Sequence, residues 1–97
     1  MHVKILGALQ GESCRSHFAS LLVDGIVALD AGSIASTLTF QEQANIRSIL
    51  LTHQHYDHIK DLASLGFNLL GRGQVEVCCT PQVRTALEAT ILSKEIW

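Results

Sequence analysis

An α/β fold, with a mixed sheet of about five strands and helices packed on one face, is what the sequence predicts, on three observations. Short apolar runs alternate along the chain with segments of helical period. Two of the runs are joined by Asp24-Gly25, a strong two-residue signal for an antiparallel hairpin. Another, Ile46 to Leu51, carries a lone charge at Arg47 and ends in the apolar run Ile49-Leu50-Leu51, as a strand buried under helices would. The 97 residues allow one domain, and a chain of that size buries roughly 60 to 68% of its unfolded surface, enough for a modest core.

Val3 to Leu6 is the first strand, ended by Gly7, and Gly7 to Ser16 is a polar loop that could line a pocket or simply cross the surface. His17 to Val23 and Ile26 to Leu29 are the hairpin strands. His17 reads first as a strand residue and second as a pocket contact. Asp30-Ala31-Gly32 closes the hairpin, where an aspartate commonly satisfies backbone donors. Ser33 to Phe40 is small, polar and irregular. Thr39 with Glu42 forms a capping-box pattern, predicting a short helix to about Asn45. Ile46 to Leu51 is the core strand. A helix is predicted from His58 to near Gly66, on Ile59, Leu62, Ala63 and Phe67, followed by a flexible turn at Gly71-Arg72-Gly73. Val75 to Cys79 is a strand. Thr80 caps a last helix with Pro81 in its first turn and Val83, Ala86, Leu87 and Ile91 at helical spacing. Arg72 reads as a solvated turn residue, with a phosphate contact as its functional alternative.

With 47% hydrophobic residues, 16% charged and a net charge of −2, the composition is that of a soluble globular protein without the basic surplus of a general nucleic-acid binder. Any nucleotide or nucleic acid would be held by a site and not by bulk charge. The first residues enter a strand pattern directly, with no secretory signal, and no apolar run reaches a membrane span, so no membrane contact is expected. Three cysteines, Cys14, Cys78 and Cys79, are odd in number, and the adjacent pair points to opposite faces of a strand. A reducing, cytoplasmic setting is the default. Cys14 reads as a free loop thiol, with a soft metal ligand as the alternative.

The chemistry concentrates after the core strand, in His53-Gln54-His55-Tyr56-Asp57-His58, where three of the five histidines and one aspartate fall in six positions. If the chain leaves the strand extended, His53, His55 and Asp57 share one side, with Asp57 capping the helix and His58 pointing elsewhere. The result is two ligand pairs, His53 with His55 and Asp57 with His58, suited to two closely spaced metal ions in a hydrolytic site. Imidazole and carboxylate without thiolate favour zinc, with iron or manganese as substitutes. A surface loop or a purely structural zinc site is the plainer reading, but the buried strand before the run and the helix after it fit a catalytic framework better.

In these residues the sequence resembles the metallo-β-lactamase superfamily, whose His-x-His-x-Asp-His signature it carries. The resemblance implies an αββα sandwich of which this chain supplies the amino-terminal half, residues 1 to 97, with the carboxyl-terminal half absent. It assigns His53 and His55 to one ion and Asp57 and His58 to the second. Asp57 takes a catalytic role at the metal-bound water, and Asp30 lies next to the metal loop, holding a ligand. Asp30-Ala31-Gly32-Ser33, Phe40-Gln41-Glu42-Gln43, Ile46-Arg47 and the ending Lys94-Glu95-Ile96-Trp97 are most similar to class II cyclic-nucleotide phosphodiesterase-like proteins.

The resemblance therefore implies a zinc-dependent hydrolase of a small phosphodiester, using a water activated by two zinc ions, with further ligands beyond Trp97. The chain by itself is expected to be incomplete as an enzyme. A non-catalytic metal-binding or structural remnant is the alternative. Relatives with this motif also cleave tRNA ends, lactones and thioesters, so the substrate is not fixed by the motif. Self-association through the exposed sheet face is expected, because that face packs on a second sheet in the family.

Overall fold

A computed structural model describes all 97 residues. The chain forms one five-stranded sheet in sequence order, β1 (Val3–Gly7), β2 (Ser20–Val23), β3 (Val27–Leu29), β4 (Ser48–Leu50) and β5 (Glu76–Cys78). The first three strands are antiparallel and the last three parallel, which makes the mixed sheet of an α/β fold. The helices are α1 (Phe40–Ala44), α2 (Tyr56–Ile59), α3 (Leu62–Asn68) and α4 (Pro81–Glu88).

The hairpin turns at Asp24 and Gly25, with φ of 52° and 72°, the left-handed pair that matches the twist of its strands. Ile26 belongs to this turn and not to β3: its N–H donates to the Val23 carbonyl at 3.1 Å, and Val23 pairs with Val27. The Ile26 carbonyl instead accepts the N–H groups of Arg47 and Ser48 and so guides the chain into β4.

The two sheet faces differ sharply. On one, Leu6, Leu22, Ala28 and Ile49 are buried together with Ile59, Leu65 and Leu87 of the helices in a single core. Ile34 and Leu38, from the stretch read as a polar loop, are also in that core. On the other face Ile5, Leu21, Leu29, Leu50 and Cys78 stand in register across all five strands. Ile5 remains 68% exposed and Leu50 42%. Side-chain alternation along each strand separates the two sets.

Thr39 caps α1 as expected, its hydroxyl accepting the Glu42 N–H while the Glu42 carboxylate accepts the Thr39 N–H at 2.9 Å. That bond, and then the Thr39 hydroxyl, holds the Glu42 carboxyl below its ordinary range. Thr80 likewise caps α4, with Pro81 at its start. This helix stops at Glu88, short of Ile91, and the chain turns back so that the Trp97 indole N–H donates to the Ile91 carbonyl at 2.9 Å. The indole stacks on Phe67, with ring centres 4.5 Å apart, over Gly66, where a β-carbon would collide with it.

The single helix expected from His58 to Gly66 is in fact two. The Asp61 N–H donates to the Ala31 carbonyl at 2.8 Å, so the helical bond back to Asp57 is not made and the ladder is interrupted. Asp61 is 2% exposed, and its carboxylate accepts the Ser36 N–H at 3.0 Å and the Ser36 hydroxyl at 2.7 Å. A buried acid in a helical pattern is what the apolar periodicity concealed.

Candidate metal centre

Because β3 and β4 run parallel with Leu29 opposite Leu50, their carboxyl ends emerge side by side, where α/β sheets collect ligands. Asp30 leaves β3 there with φ of 62°, a left-handed conformation that aspartate tolerates better than most residues. Its N–H donates to the Leu50 carbonyl at 2.8 Å. The next N–H, of Ala31, donates to the His58 carbonyl at 2.7 Å. At Gly32 a β-carbon would meet the Asp57 carbonyl, so only glycine lets this turn lie against α2. The backbone of the motif is thereby fastened to the end of β3.

Asp30 also organises the side chains. One carboxylate oxygen accepts the Thr52 N–H at 2.8 Å, and the other faces His58 Nδ1 at 2.8 Å. The Thr52 hydroxyl lies 3.0 and 2.9 Å from the two Asp30 oxygens and 2.8 Å from His53 Nδ1. That hydroxyl has one hydrogen, and a carboxylate only accepts, so the hydrogen goes to Asp30 and the oxygen accepts from His53 Nδ1–H. His58 Nδ1–H donates to Asp30 directly. Both rings are then Nδ1–H tautomers assigned from the network, and both present a bare Nε2. Asp30, 7% exposed, thus satisfies a backbone donor and holds the His58 ring through Nδ1.

His58 Nε2 stands 3.4 Å from Asp57 Oδ2. With its hydrogen on Nδ1, this nitrogen is an acceptor facing an acceptor, an arrangement that a metal ion between them, or a second proton on the ring, relieves. His58 does not point away from the other histidines, as adjacency to Asp57 suggested. Its ring centre is 4.2 Å from that of His53, which is 4.6 Å from that of His55. Nor does Asp57 cap the helix: His55 occupies the cap position of α2, with no side-chain cap bond, and Asp57 lies in the first turn. The donor chemistry fits a zinc-like ion, with His58 and Asp57 as one pair and His53 and His55 as the other. No three His, Cys, Asp or Glu side chains converge on one ion position, one short of the three protein ligands a catalytic zinc takes.

Of the other candidates, Cys14 is exposed on its loop, and His17 Nδ1 is buried without a hydrogen-bond partner; neither meets the histidine cluster through a hydrogen bond or ring contact. Arg72 lies 5.8 Å over the Phe40 ring, a cation–π contact on the surface. Thr52 and Asp61 are the residues that sequence reasoning missed. Thr52 carried a signal, a hydroxyl between a buried strand and a ligand, whereas Asp61 carried none beyond an acid among apolar positions. Beside the site, Lys60 reaches Glu12 at 2.6 Å and Asp61 at 3.2 Å. The Glu12 carboxylate, and secondarily Asp61, hold the Lys60 ammonium above its ordinary range against the opposing effect of burial.

A family model described as Beta-lactamase superfamily domain matches residues 21–96. Hydroxyacylglutathione hydrolase of Saccharophagus degradans is 35% identical over 63 residues, a stretch that covers 62% of this chain and 23% of the relative. The chain thus matches less than a quarter of that relative's length. No solved structure matches. With the mixed sheet, the parallel strand ends and the His53–His58 loop that they carry, the match over residues 21–96 places the chain in the β-lactamase superfamily.

Proposed function

We propose that the chain carries the metal-holding loop of a metal-dependent hydrolase acting on a phosphodiester, with zinc at Asp57 and His58 and at His53 and His55. The observation that carries the reading is the 3.4 Å approach of His58 Nε2 to Asp57 Oδ2 behind an Asp30 that takes the other ring nitrogen. Metal-ligating histidines characteristically give their second nitrogen to such a carboxylate. When bound, the ions supply an acidified water and offset charge on the leaving oxygen. The chain's own residues fix the rest. Asp30 sets the orientation of His58 directly and of His53 through Thr52, and Asp57, 26% exposed at its side chain, stands where it can hold the direction of attack and take a proton.

The name of the Saccharophagus degradans relative supports a second substrate, a hydroxyacylglutathione. Steady-state assays of the zinc-loaded full-length gene product on bis-p-nitrophenyl phosphate and on a hydroxyacylglutathione separate the two. Hydrolysis of the phosphate diester, abolished by a chelator, is the expected result. Turnover of the glutathione derivative alone would replace the substrate assignment. Zinc binding without turnover of either would favour the non-catalytic remnant.

A further inference from the structure

Alongside the site, residues Gln10 to Ser16 form a largely exposed loop closed at its base by the Leu9 N–H, which donates to the His17 carbonyl at 3.1 Å. At the Phe18 end the chain is pinned to the metal loop: Ser33 Oγ donates to the Phe18 carbonyl at 2.7 Å, and the Phe18 ring meets Tyr56 edge-on with centres 6.0 Å apart. Gly32 is wedged between Phe18, Ala19 and Asp57, with no room for a β-carbon. Within the loop the bonds are local, Ser13 with Ser16 and the Arg15 N–H with the Ser13 hydroxyl. The one long-range polar contact from Gln10 to Ser16 is Glu12 to Lys60, 2.6 Å.

Tyr56 and Lys60 are four residues apart, so they lie on one face of the turn that carries the motif, about 6 Å from each other along its axis. The loop is therefore tied at both ends of that face. Asp57, the next residue after Tyr56, lies about 100° round the same turn.

We propose that Lys60 is a positioning residue that latches the Gln10–Ser16 loop along α2, making the loop a side wall of the Asp57–His58 site that swings open when the ion pair with Glu12 is broken. The latch does not depend on which bond is hydrolysed or on metal being bound. That the loop walls a substrate site rests on the hydrolase reading.

The test uses the metal-free chain and two readouts. Glu12→Gln is the primary variant because it leaves the contact between Lys60 and the buried Asp61 intact. Trypsin cleavage after Arg15 should rise roughly three- to fivefold, as expected for loss of one partly exposed pair, relative to cleavage after Arg72 in its own exposed turn. Carbethoxylation of His58 by diethyl pyrocarbonate, measured against His2, should rise in step, while thermal unfolding stays put. High salt should raise both in the parent and neither in Glu12→Gln. Equal cleavage in parent and Glu12→Gln would remove the latch. Faster cleavage with unchanged His58 reactivity would show that the loop is not a wall of the site. Failure of zinc to bind would leave both readouts intact and count against the hydrolase reading alone.

Discussion

The two halves of the His53–His58 run are built differently. Asp57 and His58 sit on a turn whose backbone is bonded to Ala31 and pressed against Gly32, and His58 is held by a buried carboxylate at 2.8 Å. His53 reaches the same carboxylate only through the Thr52 hydroxyl, and His55 is exposed, makes no side-chain cap bond and touches the cluster through His53 alone. One pair is oriented before any ion arrives, while the other must spend part of its binding free energy on ordering two side chains. The asymmetry implies that the Asp57–His58 pair should be the first to lose function when the frame is disturbed and the first to bind when it is intact.

Asp30→Asn should have the largest effect, because the amide keeps one acceptor oxygen for the Thr52 N–H and hydroxyl but turns an NH2 donor toward the His58 Nδ1–H. An unsatisfied buried donor costs about 1–3 kcal/mol, so unfolding should fall by roughly 10 °C for a domain of this size. Zinc affinity should drop roughly 10- to 100-fold, which calorimetry reads. A variant with parental affinity would mean that the rings are oriented without Asp30.

Asp57→Asn comes next. Its carboxylate makes no hydrogen bond, so stability should stay within about 0.5 kcal/mol of the parent. Zinc bound at His53 and His55 should persist, while phosphodiester hydrolysis by the full-length gene product falls by roughly 10² or more. Hydrolysis at the parental rate would take Asp57 out of the chemistry.

Thr52→Val sharpens the contrast, since it unties His53 and leaves the direct bond between Asp30 and His58. Affinity should weaken at the His53–His55 pair alone, seen as selective loss of zinc-induced shifts in those two rings by NMR. Equal loss at His58 would mean that the two pairs are coupled through more than the shared carboxylate.

How much of this could be read from the chain follows the range of the interactions. The Thr39–Glu42 capping box, the Thr80 cap, the Asp24-Gly25 turn and the apolar runs of the strands are local, and Thr39, Glu42, Thr80 and Pro81 stand where their spacing put them. The candidate ligand residues stand out because all four fall within six positions. What was not legible is set by pairs distant in sequence. Asp61 bonds Ser36, 25 residues away, and splits a helix whose apolar period runs on unbroken. Asp30, set beside the His53–His58 loop by the family resemblance and not by any local signal, bonds His58 across 28 residues because β3 and β4 pair in parallel. The burial of Ile34 and Leu38 likewise depends on where an irregular segment is folded under the sheet.

The smallest effect lies far from the site and serves as its control. Glu42 is held below its ordinary carboxyl value by Thr39, so its contribution to α1 is present above that ordinary value and is lost as pH falls through the lower folded one. Acid titration of Glu42→Gln by circular dichroism should lack that component, with zinc binding unchanged.

The central claim, that Asp30 fixes both rings with hydrogen on Nδ1 and leaves both Nε2 atoms bare, is tested most directly by long-range proton–nitrogen NMR of the metal-free chain above the ordinary histidine range, about pH 8. His58 and His53 should both show the Nδ1–H pattern, sharper for His58, and zinc should shift Nε2 in each. An Nε2–H pattern at His58 would contradict the account, because that nitrogen would then donate to Asp57 and have no lone pair for a metal.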